Sequence, residues 1–304
     1  MDTKLTLNDI LGPMRPPFLL LPPVCVALGA GVACWRTGEF HLGYFLLALL
    51  GALAAHISVN AFNEYYDFKS GLDAATQKTP FSGGSGTLPA RPYAARSALT
   101  TAIVTLVITV LVGLFFWRVS GWQILPLGFA GLLLVYLYTN WLTRNWLLCL
   151  LAPGLGFGAL TVMGTDFALT GSYSWHAALA SLIPFFLVSN LLLLNQFPDV
   201  EADRQIGRRH LPILIGRRAS SLVYIAFLAL TYLSLAISVV LGYLPAWALL
   251  GLLTLLFAIP AGRGAFQHAD DIERLLPHMG QNVMTNLLTP LLSAAGLFIA
   301  ALLA

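Results

Sequence analysis

An all-α membrane bundle of nine transmembrane helices around a central cavity is the fold that this 304-residue sequence predicts. Three observations carry that reading. The chain is 58% hydrophobic with a mean hydropathy of +0.80, and its apolar runs reach the ~20 residues a spanning helix needs. Charged residues make up 10% of the chain, against about 25% in soluble domains. The basic residues fall almost entirely on one side of the spans. Barrel strands are excluded because the apolar runs are continuous and too long.

Taken in order, the spans are expected at 17–35, 42–67, 97–117, 123–142, 146–169, 175–198, 219–241, 244–262 and 282–303. The first fifteen residues carry Asp2, Lys4, Asp9 and Arg15 with no small-residue cleavage pattern, so no signal peptide is expected. Arg36-Thr-Gly38, Ser120-Gly121, Thr143-Arg144-Asn145, Thr170-Gly171-Ser172 and Gly242 to Pro245 break the runs between spans. Longer polar loops lie at 68–96, 199–218 and 263–281 and would cap a single domain covering 1–304. Cys25, Cys34 and Cys149 sit inside apolar runs without CxxC spacing and read as small buried hydrophobes.

Alternating the sides places Lys4, Arg15, Lys69, Lys78, Arg91, Arg96, Arg144, Arg204, Arg208, Arg209, Arg217, Arg218, Arg263 and Arg274 together. That is fourteen of sixteen, with Arg36 and Arg118 opposite. The positive-inside rule then makes the N-terminus and the long loops cytoplasmic in a cell (inner) membrane, with the C-terminus on the other side. Eleven of thirteen acidic residues share that side; only Glu39 and Asp166 do not. Acidic residues carry little topological weight, so catalytic or structural demand on that face must account for them. The net charge of +3 is no nucleic-acid signal, and no protein partner is implied.

Asn60, Asn63, Glu64 and Asp67 are spaced i, i+3, i+4, i+7 at the end of span 2, a polar stripe on one helix face. Asn195, Asp199 and Asp203 follow steps of four at the end of span 6. Both ends read Asn-x-x-x-Asp, and four spans separate them. Two parallel four-helix repeats plus a final helix would set the clusters face to face across the cavity. Polar groups at such positions normally face a bundle interior and mark function. Carboxylates and Asn carbonyls are hard oxygen ligands, suited to Mg²⁺ completed by substrate phosphates. Two facing clusters read as a clamp for a diphosphate with two or three ions. Pro198 bends or ends the helix beside Asp199, and Glu201 points off the Asp199 face.

Lys69, Arg91, Arg204 and Arg208 supply cations suited to phosphate, with Lys69 and Arg204 nearest the carboxylates in sequence. Thr79-Pro-Phe-Ser-Gly-Gly-Ser-Gly86 is a loop able to fold over phosphates with backbone N–H groups. His56 shares the stripe and either lines the cavity or bonds a neighbouring helix. Tyr138, Asn140 and Arg144 close span 4, either in an aromatic interface belt or as a wall for the acceptor that shields a cation with π faces.

Asn63-Glu64-Tyr-Tyr-Asp67-x5-Asp73 after span 2 and Asp199-x-x-x-Asp203-Arg204 after span 6, over nine spans, resemble the UbiA superfamily of intramembrane prenyltransferases. The resemblance implies an all-helical bundle in the bilayer that moves a prenyl group from a prenyl diphosphate to an acceptor. It implies Mg²⁺ held by Asn63, Glu64, Asp67, Asp73, Asp199 and Asp203. Asp67, Asp199, Lys69 and Arg204 would act in ionisation, and Asn60, Asn63, Asn195, Arg91, Arg208, Tyr138, Asn140 and Arg144 in substrate binding. Glu64 stands where the family usually has Asp. The wide Asp67-x5-Asp73 spacing and the Gly207–Gly216 stretch are similar to the branch acting on 1,4-dihydroxy-2-naphthoate on the way to menaquinone. The rival reading is a secondary transporter, which needs carboxylates at the bilayer midplane; here they gather at one interface beside basic loops.

Overall fold

The computed structural model describes residues 5–72 and 78–304, and the described residues form helices with no strand. A short helix α1 (Leu7–Met14) leads into α2 (Leu21–Thr37) and α3 (Leu42–Ser70). Then come α4 (Ala95–Ser120), α5 (Leu125–Leu137), α6 (Trp146–Thr170), α7 (Trp175–Asn195), and the short α8 (Val200–Gln205) and α9 (Leu211–Ile215). Helices α10 (Arg217–Val240), α11 (Ala246–Gln267) and α12 (Ile272–Leu303) complete the chain. Eight helical segments among the described residues are long and apolar enough to cross a membrane. The ninth expected span is the shorter apolar helix Trp122–Leu137, below the usual spanning length.

The expected 263–281 loop is mostly helix. Helix α11 continues through Gln267 and α12 begins at Ile272, where the Asp271 carboxylate accepts from the Arg274 N–H. The cap is possible because the polar sequence there satisfies the first-turn N–H groups, so polarity did not require a loop. The 199–218 stretch likewise contains α8 and α9.

The main core joins α2, α6, α7, α10, α11 and α12, around Cys25, Leu28, Leu187, Leu194, Tyr224 and Leu275. Small residues set the closest approaches. A Cβ on Gly29 of α2 would lie 2.5 Å from the Val162 carbonyl of α6, which is how membrane helices pack in the absence of a hydrophobic drive between them. On the other side, α3 and α4 pack through Ala61 and Ala102, tied by Ser58 Oγ donating to the Ala102 carbonyl at 2.8 Å. Within α6, residues Gly156–Met163 widen into a π-helical stretch; such stretches often mark functional sites.

Helix α1 is fastened beside the ends of α3 and α4. Leu7 and Leu11 are exposed on one side, while Asp9 is fully buried on the other. The Asp9 carboxylate accepts from the Thr6 N–H at 2.8 Å and from Arg91 at 2.9 Å. The Thr6 backbone bond and Arg91 hold its pKa down at about 2. A lowered carboxylate pKa stabilises the fold above the unfolded value near 3.8 and loses that stabilisation as pH falls through about 2. The Asp9→Asn change is therefore expected to free α1 at neutral pH, read as faster proteolysis near Arg15. Well below pH 2 the difference from wild type should vanish.

Candidate active site

Helices α3 and α7 end on the same side of the bundle, and their polar ends share one pocket of about 160 Å³. From α3 it receives His56, Asn60, Asn63 and Asp67; from the end of α7 and α8 it receives Asn195, Gln196, Asp199 and Asp203. Helix α3 stays regular through Ser70 because Gly71, at φ +80°, takes the left-handed cap that closes it. The stripe of 60, 63 and 67 is therefore intact. The second cluster is built differently. Helix α7 stops at Asn195, residues 196–199 turn, and α8 begins at Val200, as Pro198 requires. The Asp203 N–H still bonds the Asp199 carbonyl at 2.9 Å, so the i, i+4 relation survives the break.

Arg208 ties the halves together. Its guanidinium bonds Asp67 of α3 and, at 2.9 Å, Asp203 of α8. His210 Nε2 lies 3.0 Å from the other Asp203 oxygen. Asn63 donates to Asp67 at 2.9 Å. Asp199 has no such partner for its buried Oδ1, nor has Asn195 for its own. Burial pushes the Asp199 carboxyl up to about 7, and the neighbouring Asp203 charge adds to the rise. Buried oxygens left without donors beside a second carboxylate have the chemistry that suits a hard cation.

The loop after α3 covers this pocket. Ser82, Gly83 and Gly84 line it, with Thr79 holding the turn through the Ser82 N–H at 2.9 Å. Glu64 anchors the loop rather than facing the pocket. Its oxygens accept from the Ser85 N–H and Ser85 Oγ, both at 2.6 Å, and from Arg15 Nε at 2.7 Å. Arg15 lines the pocket, turned inward by a left-handed backbone at φ 53° between α1 and α2. Non-glycine residues seldom adopt that conformation.

An apolar cavity of about 610 Å³ opens from the polar pocket and shares Arg15, His56, Asn60, Asn63, Tyr138 and Phe157 with it. It runs between α3, α4, α5 and α6. The His56 ring meets the edge of Phe157 at 4.9 Å, and its Nδ1 has no hydrogen-bond partner.

Of the residues singled out in the sequence, Asn60, Asn63, Asp67, Tyr138, Asn195, Asp199, Asp203 and Arg208 meet in this pocket. Six do not line it. Glu64 is engaged as described, Lys69 lies over the Tyr65 ring, and Arg91 holds Asp9. Arg204 is exposed and pairs with Glu201 at 3.1 Å. Asn140 and Arg144 line neither the pocket nor the cavity. Asp73 falls outside the described residues. Sequence reasoning gave Arg15 only a topological role; its turn is invisible in a pattern of side-chain types.

The arrangement can hold a diphosphate head between carboxylates, cations and a glycine turn, with an apolar tail in the adjoining cavity. A family model described as the UbiA prenyltransferase family matches residues 20–279. A 1,4-dihydroxy-2-naphthoate octaprenyltransferase of Bacillus subtilis is 28% identical over 94% of this chain and 90% of its own. A 2-carboxy-1,4-naphthoquinone phytyltransferase of Synechocystis is 24% identical over 87% and 85%. A UbiA homologue from Archaeoglobus fulgidus bound to DMAPP and Mg²⁺ superposes with a TM-score of 0.68 at 15% identity, over 97% of this chain and all of that one. The apo form of a homologue from Aeropyrum pernix gives 0.68 at 18% identity, over 94% and 98%.

Proposed function

Because the chain belongs to the UbiA prenyltransferase family, we propose that it moves the prenyl group of a polyprenyl diphosphate onto an aromatic acceptor of the 1,4-dihydroxy-2-naphthoate type. One observation carries the reading. Carboxylates from α3 and α8 face each other across a polar pocket that continues into an apolar cavity long enough for a prenyl tail. The named activities of the naphthoate-prenylating relatives support the choice of acceptor.

The residues present fit Mg²⁺: Asp199 Oδ1 and Asn195 Oδ1 are buried oxygens lacking donors. Asp67, Asn195, Asp199 and Asp203, with Asn63 beside Asp67, would hold two or three ions. When bound, Mg²⁺ would neutralise charge on the leaving diphosphate. Glu64 is better suited to hold Arg15 and Ser85 than to hold metal. Arg15 and Arg208 bind phosphate oxygens, and the Gly83–Gly84 turn offers backbone N–H groups to them. As the C–O bond to the diphosphate breaks, its electron pair leaves with the phosphate. The allylic cation so formed sits where the pocket meets the cavity, a boundary that Tyr138 and Phe157 both line. Their ring faces stabilise positive charge, and the apolar walls keep water away from it. An electron-rich ring carbon of the acceptor then forms the new C–C bond, and the group that carbon carried, a proton or a carboxyl lost as CO2, leaves its bonding pair to the ring. We place the active-site loops and the N-terminus in the cytoplasm, on the basic-residue asymmetry.

The purified protein, with Mg²⁺, is to be offered geranyl, farnesyl and longer diphosphates with a panel of phenolic and naphthoic acceptors, and products read by mass spectrometry. A prenylated naphthoate is expected. Products on phenolic acceptors alone would overturn the acceptor, and no prenylated product from any pair would overturn the reading.

A further inference from the structure

The glycines of this bundle fall into two physical kinds. A Cβ on Gly154 would meet the Phe185 carbonyl at 2.2 Å, and one on Gly158 the Ser181 carbonyl at 2.5 Å. Those glycines exist to let α6 and α7 touch. A Cβ on Gly113, Gly128, Gly156 or Gly164 would meet nothing within 4 Å, and one on Gly131 only Leu160 at 3.8 Å. All five line the apolar cavity, from α4, α5 and α6. They are not closing any helix contact. Each leaves the space of a missing side chain inside the cavity. Each also carries the helix-propensity cost of about 1 kcal/mol relative to Ala, so packing offers no reason for them there.

Their depth is ordered. Gly113, Gly128 and Gly164 lie 7 (120 − 113), 3 (128 − 125) and 6 (170 − 164) residues from the ends of their helices remote from the polar pocket. Along α3 the cavity runs from Asn63 to Ala48, 15 residues (63 − 48), or about 22 Å at 1.5 Å per residue. An extended isoprene unit adds four C–C bonds of about 1.5 Å and so advances about 5 Å. The cavity therefore accommodates about four units. A longer tail must pass the three remote glycines and leave beside α5, none of whose residues is buried. His56, whose buried Nδ1 has no hydrogen-bond partner, lines the same space near its polar end. It marks the end that receives the head of a ligand.

We propose that Gly113, Gly128 and Gly164 form the exit that admits prenyl tails longer than about four isoprene units, and so set the chain-length specificity of this protein. The proposal rests on the prenyl-transfer reading above. The test is to compare Gly164→Leu and Gly128→Leu with wild type on geranyl diphosphate and on an eight-unit diphosphate, with the same acceptor. Affinity for each diphosphate is measured by thermal shift alongside turnover, which tests the exit even if the acceptor class is wrong. For geranyl diphosphate, kcat/KM should stay within about threefold of wild type, whereas the eight-unit substrate should lose about tenfold or more. Its affinity should fall in step. Gly164→Ala, whose Cβ enters open space, keeps the fold and should shift the ratio in the same direction by less. An unchanged ratio of the two substrates in a folded variant overturns the exit. A wild type that binds both diphosphates but prenylates no aromatic acceptor overturns the transfer reading, not the exit.

Discussion

Asp199→Asn and Asp67→Asn are each expected to lower prenyl transfer by about 10²–10³-fold, the range seen when one preorganised stabiliser of developing charge is removed. The two residues come from opposite halves of the bundle and reach the same pocket. Amide replacement preserves shape and removes a ligand charge. Turnover of a labelled prenyl diphosphate near the wild-type rate in both variants would sink the clamp. Asp199→Asn carries a second expectation of opposite sign. With its pKa raised to about 7 by burial and by Asp203, ionised Asp199 opposes folding. Stability is full below the unfolded value near 3.8 and declines as pH climbs toward 7. In a chelator at pH 8 the Asn variant should therefore melt a few degrees higher than wild type, and it should gain less on adding Mg²⁺. A variant that is more stable yet inactive separates the role of Asp199 in the reaction from any role in the fold.

What could be read from the sequence followed how local the information was. The stripe Asn60, Asn63, Asp67 depends only on one regular helix, and the spacing alone places it. Asn195, Asp199 and Asp203 were also recognisable, and Pro198 told where the helix would break. Polar stretches were harder: 263–281 read as loop, yet the Asp271 cap and the continuation of α11 leave only 268–271 between helices. Proximity in sequence misled for cations. Lys69 and Arg204 are the nearest neighbours of the carboxylates, but the helix turns them outward, to Tyr65 and Glu201. Arg15 reaches Glu64 across 49 positions through a left-handed turn, and no periodicity encodes that. The Glu64–Ser85 bonds are equally nonlocal, 21 positions apart. Nor does composition separate a glycine that closes a helix contact from one that opens a cavity; Gly154 and Gly156 differ only in what stands opposite.

Arg208→Ala is expected to damage both stability and turnover, and Mg²⁺ should recover only the first. The guanidinium is 14% exposed and lies between Asp67 and Asp203, whose side chains are 8% and 4% exposed. Removing one partner of a buried ion pair leaves uncompensated charge and costs about 3–5 kcal/mol; here two carboxylates lose the same partner. In a chelator the Ala variant should show a large drop in melting temperature. A divalent cation placed among the same carboxylates replaces the lost charge, so the Mg²⁺-induced rise should exceed that of wild type. Turnover should stay low, by about 10²-fold, because the ion does not replace the guanidinium we propose to bind the leaving phosphate. Arg208→Lys discriminates further. A lysine keeps the charge but lacks the planar fork that meets two carboxylates at once. It should restore much of the stability and little of the bridge between α3 and α8, giving a raised KM for the diphosphate. Equal Mg²⁺-induced shifts in wild type and Arg208→Ala would show that Arg208 and the metal do not share these carboxylates.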